Sequence, residues 1–384
     1  MSRTIVVAGA LANKPNNGGA AWVRMSWIRG LQPLGFDVHF VEVISPDAWK
    51  ADPDGAPLAR NIAYFTNVVA SMGLADRATL LTTTGETLAG ASASELERLI
   101  ARATLLINIS GHLNDEAWLE RFRRRAYVDL DPAYTQYWHA DGLLGETLAK
   151  HHVWFTVGLN VGSRGCPIPT GGFPWRPVLP PVVMDDWPVR PSVSDHKFTT
   201  IGAWRGAFGP LVIDGQPIGQ KAHEWRKFMG LPRALRMPVE AALKIDSGDE
   251  SDRQRLENHG WRLVDPESVA GTPVAFRRYV AGSFAELSLA QGAYVETNSG
   301  WFSDRTVRYL ASGKPALIQD TGASSVLPTG EGLLTFRDAD EAAAGAQAIA
   351  SDYVRHSRAA RRLAEHYFNS DRVLTEFLTQ AGVT

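Results

Sequence analysis

The segment Tyr294–Gly322, YVETNSGWFSDRTVRYLASGKPALIQDTG, gathers the residue types best suited to holding an anion. A strand is expected to end at Asn298-Ser299-Gly300 and a helix to begin near Ser303 and stop at Ser312-Gly313. Lys314-Pro315 then leads into a second strand that stops at Asp320-Thr321-Gly322. The turn of such a βαβ unit suits a phosphate or diphosphate. Glycine lets the backbone approach the anion, and the unpaired N–H groups and dipole of a helix start stabilise negative charge. Arg305, one turn into the helix, adds a charge-assisted donor. A glycine turn before a helix also serves as a plain structural connection, and the pattern alone leaves both readings open.

Other candidates fall at strand ends. Gly202-Ala203-Trp204-Arg205-Gly206 closes the strand that starts at Phe198, at the edge where open sheets bind ligands, and places Arg205 within reach of a phosphate. The run Ile107–His112, INISGH, ends in a Ser-Gly-His loop whose His112 has the ordinary pKa of a general base. Asp129-Leu130-Asp131-Pro132 follows the next strand. Alternation along a strand is read as turning these two carboxylates to opposite faces, so that at most one should line a cleft; Asp131 is taken as a base or as the group that orients His112. Trp175, Trp187, Trp204 and Trp301 fall in loop-like text, where they would form a flat wall for a ring or pack beneath the loops. Arg277-Arg278 fits a solvated helix face.

These groups need two scaffolds to position them. Thr4–Ala8 reads as a strand, Asn16-Asn17-Gly18-Gly19 as a turn, and Ala20, Val23, Trp27, Leu31 and Leu34 as the apolar face of a helix. Val38–Val43, Leu105–Ile109, Tyr127–Leu130 and Val153–Val157 are further strands in an alternating α/β pattern, which implies a parallel sheet. From Cys166 to Pro191 proline is too dense for helix or central strand, and the domain junction is placed at its end. The alternation then restarts at Phe198. Thr272-Pro273 and Asp338 with Glu341 mark helix starts, and the stretch Asp352–Leu378 carries two helical patterns broken near Asn369-Ser370.

Composition narrows the function classes. The 384 residues suit two α/β domains, and 45% hydrophobic with 21% charged residues is the balance of a globular chain. Lys and Arg number 39 against 41 Asp and Glu, so the chain lacks the overall positive field that drives binding to long nucleic acids. The apolar run Thr4–Ala10 is too short for a signal core or a membrane span, and the single Cys166 allows no internal disulfide, which together lead to a cytoplasmic expectation. Gly9 is followed by no further glycine at the dinucleotide-binding interval, which argues against a nicotinamide dehydrogenase.

The chain resembles glycosyltransferases of the GT-B superfamily. Gly300-Trp301-Phe302-Ser303 is similar to their Gly-Trp-Asn-Ser donor signature, and Ala311-Ser312-Gly313-Lys314-Pro315 to their Ala-Ser-Gly-Lys-Pro helix exit. A closer likeness, to a bacterial group of such proteins, covers Gly282–Ser288 and Ser299–Arg305 and runs through Gln319–Gly322, and Asn17-Gly18-Gly19-Ala20 is similar to their N-domain loop. The resemblance implies an α/β fold of two facing Rossmann-like domains, with parallel sheets flanked by helices. An acceptor domain over residues 1–188 and a nucleotide-sugar domain over 189–384 follow, with the final helix free to pack back on the first.

It further implies metal-free transfer of a sugar, of hexosyl type, from a nucleoside diphosphate sugar, with UDP the first choice. Donor contacts are then expected from Arg205, Glu286, Ser299, Gly300, Trp301, Ser303, Asp304, Arg305, Asp320, Thr321 and Gly322, acceptor-side contacts from Asn17, Gly18 and Gly19, and base chemistry from His112 and Asp131. The acceptor is left as a small molecule, a glycan or a modified nucleobase. The sequence departs from the family in one respect. Arg308 stands where many members carry a ribose-binding glutamate, and Gly300 where retaining members keep an acid, which leaves Asp304 or Glu286 for the ribose. An epimerase or hydrolase of the same fold, or a non-catalytic nucleotide-sugar-binding protein, are the alternatives.

Overall fold

Ile5, Val6, Val7 and Ala8 are all fully buried, as an apolar β-branched run must be when both faces of its sheet are covered. They belong to β1 (Arg3–Ala8), the first strand of a computed structural model that describes residues 3–44, 57–190, 195–206, 208–213 and 215–383. The first sheet adds β2 (Phe36–Ile44), β3 (Ala78–Thr82), β4 (Thr87–Ala89), β5 (Ala103–Ile109), β6 (Arg125–Asp129), β7 (Val153–Thr156) and β8 (Arg176–Pro177), in the order β4-β3-β2-β1-β5-β6-β7-β8. Its β3–β4 pair is antiparallel and its other pairs are parallel.

The second sheet is formed by β9 (Phe198–Ala203), β12 (Val239–Lys244), β13 (Trp261–Val264), β14 (Ala285–Ser288), β15 (Ala316–Gln319) and β16 (Leu333–Phe336), all parallel, ordered β13-β12-β9-β14-β15-β16. A small antiparallel hairpin, β10 (Leu211–Ile213) and β11 (Gln216–Ile218), stands apart from both. In each large sheet the strand order reverses beside the first strand, between β1 and β5 and between β9 and β14. Doubly wound sheets bind ligands at such reversals, outside the carboxyl ends of the strands.

The helices that shape the space between the sheets are α1 (Gly18–Leu31), α2 (Tyr134–Ala140), α3 (Lys221–Lys227), α4 (Pro273–Ala281), α5 (Asp304–Ala311) and α6 (Ser370–Gln380). Several begin on side chains visible in the sequence. Asn17 accepts from Ala20 N at the start of α1, Thr272 from Ala275 N before α4, Ser303 from Arg305 N before α5 and Asn369 from Asp371 N before α6. Although it follows the second sheet in sequence, α6 lies on α1: Trp27 and Phe377 meet edge to face at 4.9 Å, and a Cβ on Gly30 would fall 2.6 Å from Leu374 Cδ1.

One expected strand is replaced. Tyr294–Asn298 is not extended; Gly292–Glu296 is a helical turn, ended by Thr297 and by Asn298 at φ 47°. The strand of this βαβ unit is β14, whose four residues are all buried. β-branched Val295 and Thr297 favour a strand locally, but tertiary packing outweighs that weak preference. The expected junction at Pro191 lies outside the described residues.

The two halves meet at several places, two of which are closely packed seams. In the first, Trp22 Nε1 donates to Pro273 O (2.9 Å) and Tyr64 OH to Gly271 O (3.1 Å), and Gly18 approaches so closely that a Cβ there would lie 2.3 Å from Thr272 O. In the second, Asn160 N donates to Ser299 O and Asn160 Nδ2 to Asn298 O and Gly322 O. Among the described residues no helix is long and apolar enough to cross a membrane.

Candidate active site

The carboxyl edges of the two sheets enclose a cavity of about 410 Å³, lined from both halves. The second half contributes a cationic wall. Arg305 reaches back from the first turn of α5 and donates to Glu286 Oε1 (2.6 Å), Ser288 Oγ (2.6 Å) and Ile201 O (2.5 Å). Glu286 is fully buried beneath it, so Arg305 is held rigidly on the cavity wall. Removing one member of such a buried pair strands the other, at a cost of about 3–5 kcal/mol. Glu286→Ala is therefore expected to lower the unfolding free energy by about that amount, read as a drop in the urea midpoint, with Glu286→Gln falling between it and the wild type.

Lys221 stands beside Arg305, in the first turn of α3. Gly202, at the end of β9, leaves room for it: a Cβ there would sit 2.7 Å from Lys221 Nζ. Among the described residues nothing hydrogen-bonds this ammonium, and burial, reinforced by the charge of Arg305, pushes its pKa down to about 7.

The first half offers a carboxylate. Asp129, the last residue of β6, is buried and fully engaged, accepting from Thr135 Oγ1 (2.6 Å), Gln136 Nε2 (3.0 Å), Thr156 Oγ1 (2.7 Å) and Asp131 N (2.9 Å). These bonds fix the turn into α2 and set Asp131 on the cavity surface. Asp131 Oδ1 accepts from Tyr294 OH (2.9 Å), which accepts from Gln291 Nε2 (3.1 Å), and Tyr134 OH donates to Gln291 Oε1 (3.1 Å). Burial raises the Asp131 pKa, opposed by Lys14 and by the Tyr294 hydrogen bond. Trp301 stacks on Tyr294 at 4.6 Å and 27°, giving the cavity a flat aromatic side.

No protein-family model matches the chain, and no curated protein sequence does. Solved structures match over the whole length. AviGT4, a glycosyltransferase involved in avilamycin A biosynthesis, aligns with a TM-score of 0.57 at 13% identity, over 99% of this chain and 97% of its own. HepE of Anabaena, solved in complex with UDP-glucose, aligns at 0.56 and 12% identity over 98% and 99%. The pneumococcal O-GlcNAc transferase GtfA, solved with UDP and GlcNAc, aligns at 0.53 and 9% identity over 99% of each chain. The chain has the GT-B fold.

Within this GT-B fold the sequence candidates separate into two groups. Asn17, Gly19, Asp131, Trp301, Ser303, Asp304 and Arg305 line the cavity between the domains. Gly18 instead packs against the Thr272 backbone. Arg205 does not line the cavity, because Asp249 holds it through two hydrogen bonds of 2.6 Å. Glu286 sits under Arg305 and does not reach a ribose. Asp304 lines the cavity while pairing with Arg308, whose buried guanidinium also reaches Ser26 of α1.

The turn at Ser299-Gly300 is filled by protein where an anion was expected. Gly300 N donates to Thr321 O (2.8 Å), Ser299 Oγ bonds Tyr294 O and Trp301 N, and a Cβ on Gly300 would lie 2.8 Å from Asn160 N. The first-domain loop Gly158–Asn160 occupies that space. The room for an anion lies one helical turn further on, beside Ser303 and Arg305. Asp320 is likewise committed, accepting from Gly322 N (3.0 Å) and Ser324 Oγ (3.1 Å) and pairing with Arg337, while Thr321 Oγ1 donates to Trp301 O (2.6 Å).

His112 does not line the cavity and makes no hydrogen bond with Asp131. Burial, with Arg24 and Lys14 nearby, pushes its pKa down to about 3, which leaves a neutral, weakly basic ring. Of the loop tryptophans, Trp175, Trp187 and Trp204 are buried, and Trp301 alone among the four lines the cavity. Two lining residues, Lys221 and Arg24, carried signals in the sequence. A lysine at the first position of a helix opposes the dipole, and Arg24 falls on the apolar stripe of α1 with Ala20, Trp27 and Leu31.

Proposed function

We propose that this protein transfers a sugar from a nucleoside diphosphate sugar to an acceptor hydroxyl without a metal ion. The observation that carries this reading is the pairing of Lys221 and Arg305 on one wall with the Asp131 carboxylate on the other, across one cavity at the strand reversals of both sheets. As the bond from the anomeric carbon to the diphosphate oxygen breaks, charge grows on that oxygen. Cations preorganised in a poorly hydrated site stabilise such charge strongly. The acceptor oxygen forms the new bond and gives its proton to Asp131, the raised pKa of which suits it to the task. A base opposite the leaving-group cations fits a single displacement with inversion.

UDP is proposed as the nucleotide because HepE and GtfA were solved with it. Asp304, on the cavity surface at the α5 start, is the proposed ribose contact in place of the missing glutamate. The Trp301–Tyr294 face would carry the ring of the sugar or of a small-molecule or glycan acceptor. The reaction is assigned to the cytoplasm.

The test incubates the full chain with UDP-hexoses and a broad acceptor panel, reading UDP release and product mass. UDP release that requires an acceptor, with a product heavier by one sugar, is the expected result. Equal release without acceptor would identify a hydrolase, conversion of the donor into an isomer of equal mass without net UDP release would identify an epimerase, and no detectable UDP binding would defeat the nucleotide-sugar reading altogether.

A further inference from the structure

Arg24 is 3% exposed, yet it reaches the cavity surface from α1. Its Nη1 donates to Ala20 O (3.1 Å), while its buried Nε has no hydrogen-bond partner. Among the described residues no carboxylate lies within ion-pairing distance of this guanidinium. A guanidinium has five N–H donors, and burying it with so few satisfied is costly unless something completes the set. The backbone makes room for it: a Cβ on Gly9, just past β1, would lie 3.2 Å from Arg24 Cγ and Nε.

The acids nearby are otherwise engaged. Glu42 uses both oxygens to accept from Leu11 N (2.8 Å), Ala12 N (2.6 Å) and Asn13 N (2.8 Å), and burial pushes its carboxyl up to about 7, against the pull of these bonds and of Arg24. Asp131 is held by Tyr294, and Asp304 by Arg308. Lys14, on the loop between β1 and α1, lines the same end of the cavity and adds a second cation there. This corner belongs to the first domain, whereas the proposed diphosphate site is on Lys221 and Arg305 of the second. Each half thus brings cations of its own to the cavity, and an anion other than the donor diphosphate would complete those of the first half.

We infer that the acceptor carries an anionic group, a phosphate monoester or a carboxylate, which seats on Arg24 and Lys14 and thereby presents a hydroxyl to Asp131. This rests on the transferase reading, but the anion site itself is measurable without turnover. The full chain is saturated with UDP, so that the second-domain cations are occupied, and titrated calorimetrically with inorganic phosphate, glucose 6-phosphate, glucuronate and glucose.

Inorganic phosphate should bind, and the charged sugars should bind about tenfold or more tighter than glucose, as a charge-assisted bond to a buried guanidinium requires. Arg24→Gln should erase that preference and Arg24→Lys restore part of it, with UDP affinity unchanged in both. Should Arg24→Gln fail to fold, Lys14→Glu, on an exposed side chain, should reverse the preference. A stronger response to glucose 6-phosphate than to glucuronate would assign a phosphate, and the opposite order a carboxylate. Equal binding of charged and neutral sugars, or a preference untouched by Arg24→Gln, overturns the inference. Failure of the wild type to bind UDP overturns the transferase reading instead, and an Arg24-dependent response to phosphate would then still stand.

Discussion

Asp131→Asn is expected to lower turnover by about 10³-fold while leaving UDP affinity within about twofold, because general-base catalysis contributes on the order of 10²–10⁴. Asparagine keeps the volume of the side chain, and its oxygen still accepts the Tyr294 O–H bond, so the contact between the domains survives. What it removes is the ability to take a proton. A role confined to holding the domains together would leave turnover nearly intact in this variant, and rate and affinity therefore separate the two. The pH profile gives a second reading. With Asp131 as the base, kcat/KM should rise with pH along an acidic limb above the ordinary aspartate range near 3.9, since burial raises this pKa. Tyr294→Phe deletes a hydrogen bond that favours the charged form, so the limb should move to higher pH, and Asp131→Asn should lose it.

The contrast between Asp129 and Asp131 shows what local sequence can and cannot convey. Residues two apart in a strand share a face, so alternation along β6 does not separate these two carboxylates; they part because the strand ends at Asp129, which is engaged in the turn that sets Asp131 on the cavity. The β1-turn-α1 unit, the helix cap at Thr272 and the helix start near Ser303 were legible because each depends on neighbours a few residues away, and the parallel sheets because alternating strands and helices imply them. The failures are long-range. Nothing near Ser299-Gly300 announces that Gly158–Asn160, about 140 residues earlier, fills the turn. Arg205 has the right position for a phosphate, but Asp249 claims it from a different strand-helix connection. His112 has the right residue type, and burial removes the basicity that made it attractive. Lys221 is separated from the β9 end by the β10–β11 hairpin, so its arrival against Gly202 is set by tertiary packing.

Lys221→Met is expected to weaken UDP binding by about 10²-fold at pH 6.5, since truncating one charge of a buried, hydrogen-bonded pair costs roughly 2–5 kcal/mol. Methionine retains the apolar stem against Gly202 and so leaves the packing of α3 in place. The pH dependence distinguishes this charge from a general electrostatic background. In the empty cleft the Lys221 pKa is down at about 7, whereas a bound diphosphate favours the ammonium and must raise it. Binding therefore takes up protons: on the order of half a proton per UDP near pH 7, and more as the pH approaches 8. By the same linkage affinity should be flat well below pH 7 and fall by up to about tenfold per unit above it, until the pKa of the complex is passed. Calorimetry in buffers of different ionisation enthalpy measures the uptake directly, with work above pH 7.5 keeping clear of the phosphate's own pKa near 6. Arg305 cannot produce this signature, because a guanidinium does not titrate in that range. An affinity that stays constant from pH 7.5 to 9 in the wild type, or a wild-type slope retained in Lys221→Met, would remove Lys221 from the diphosphate site and leave Arg305 as its sole cation.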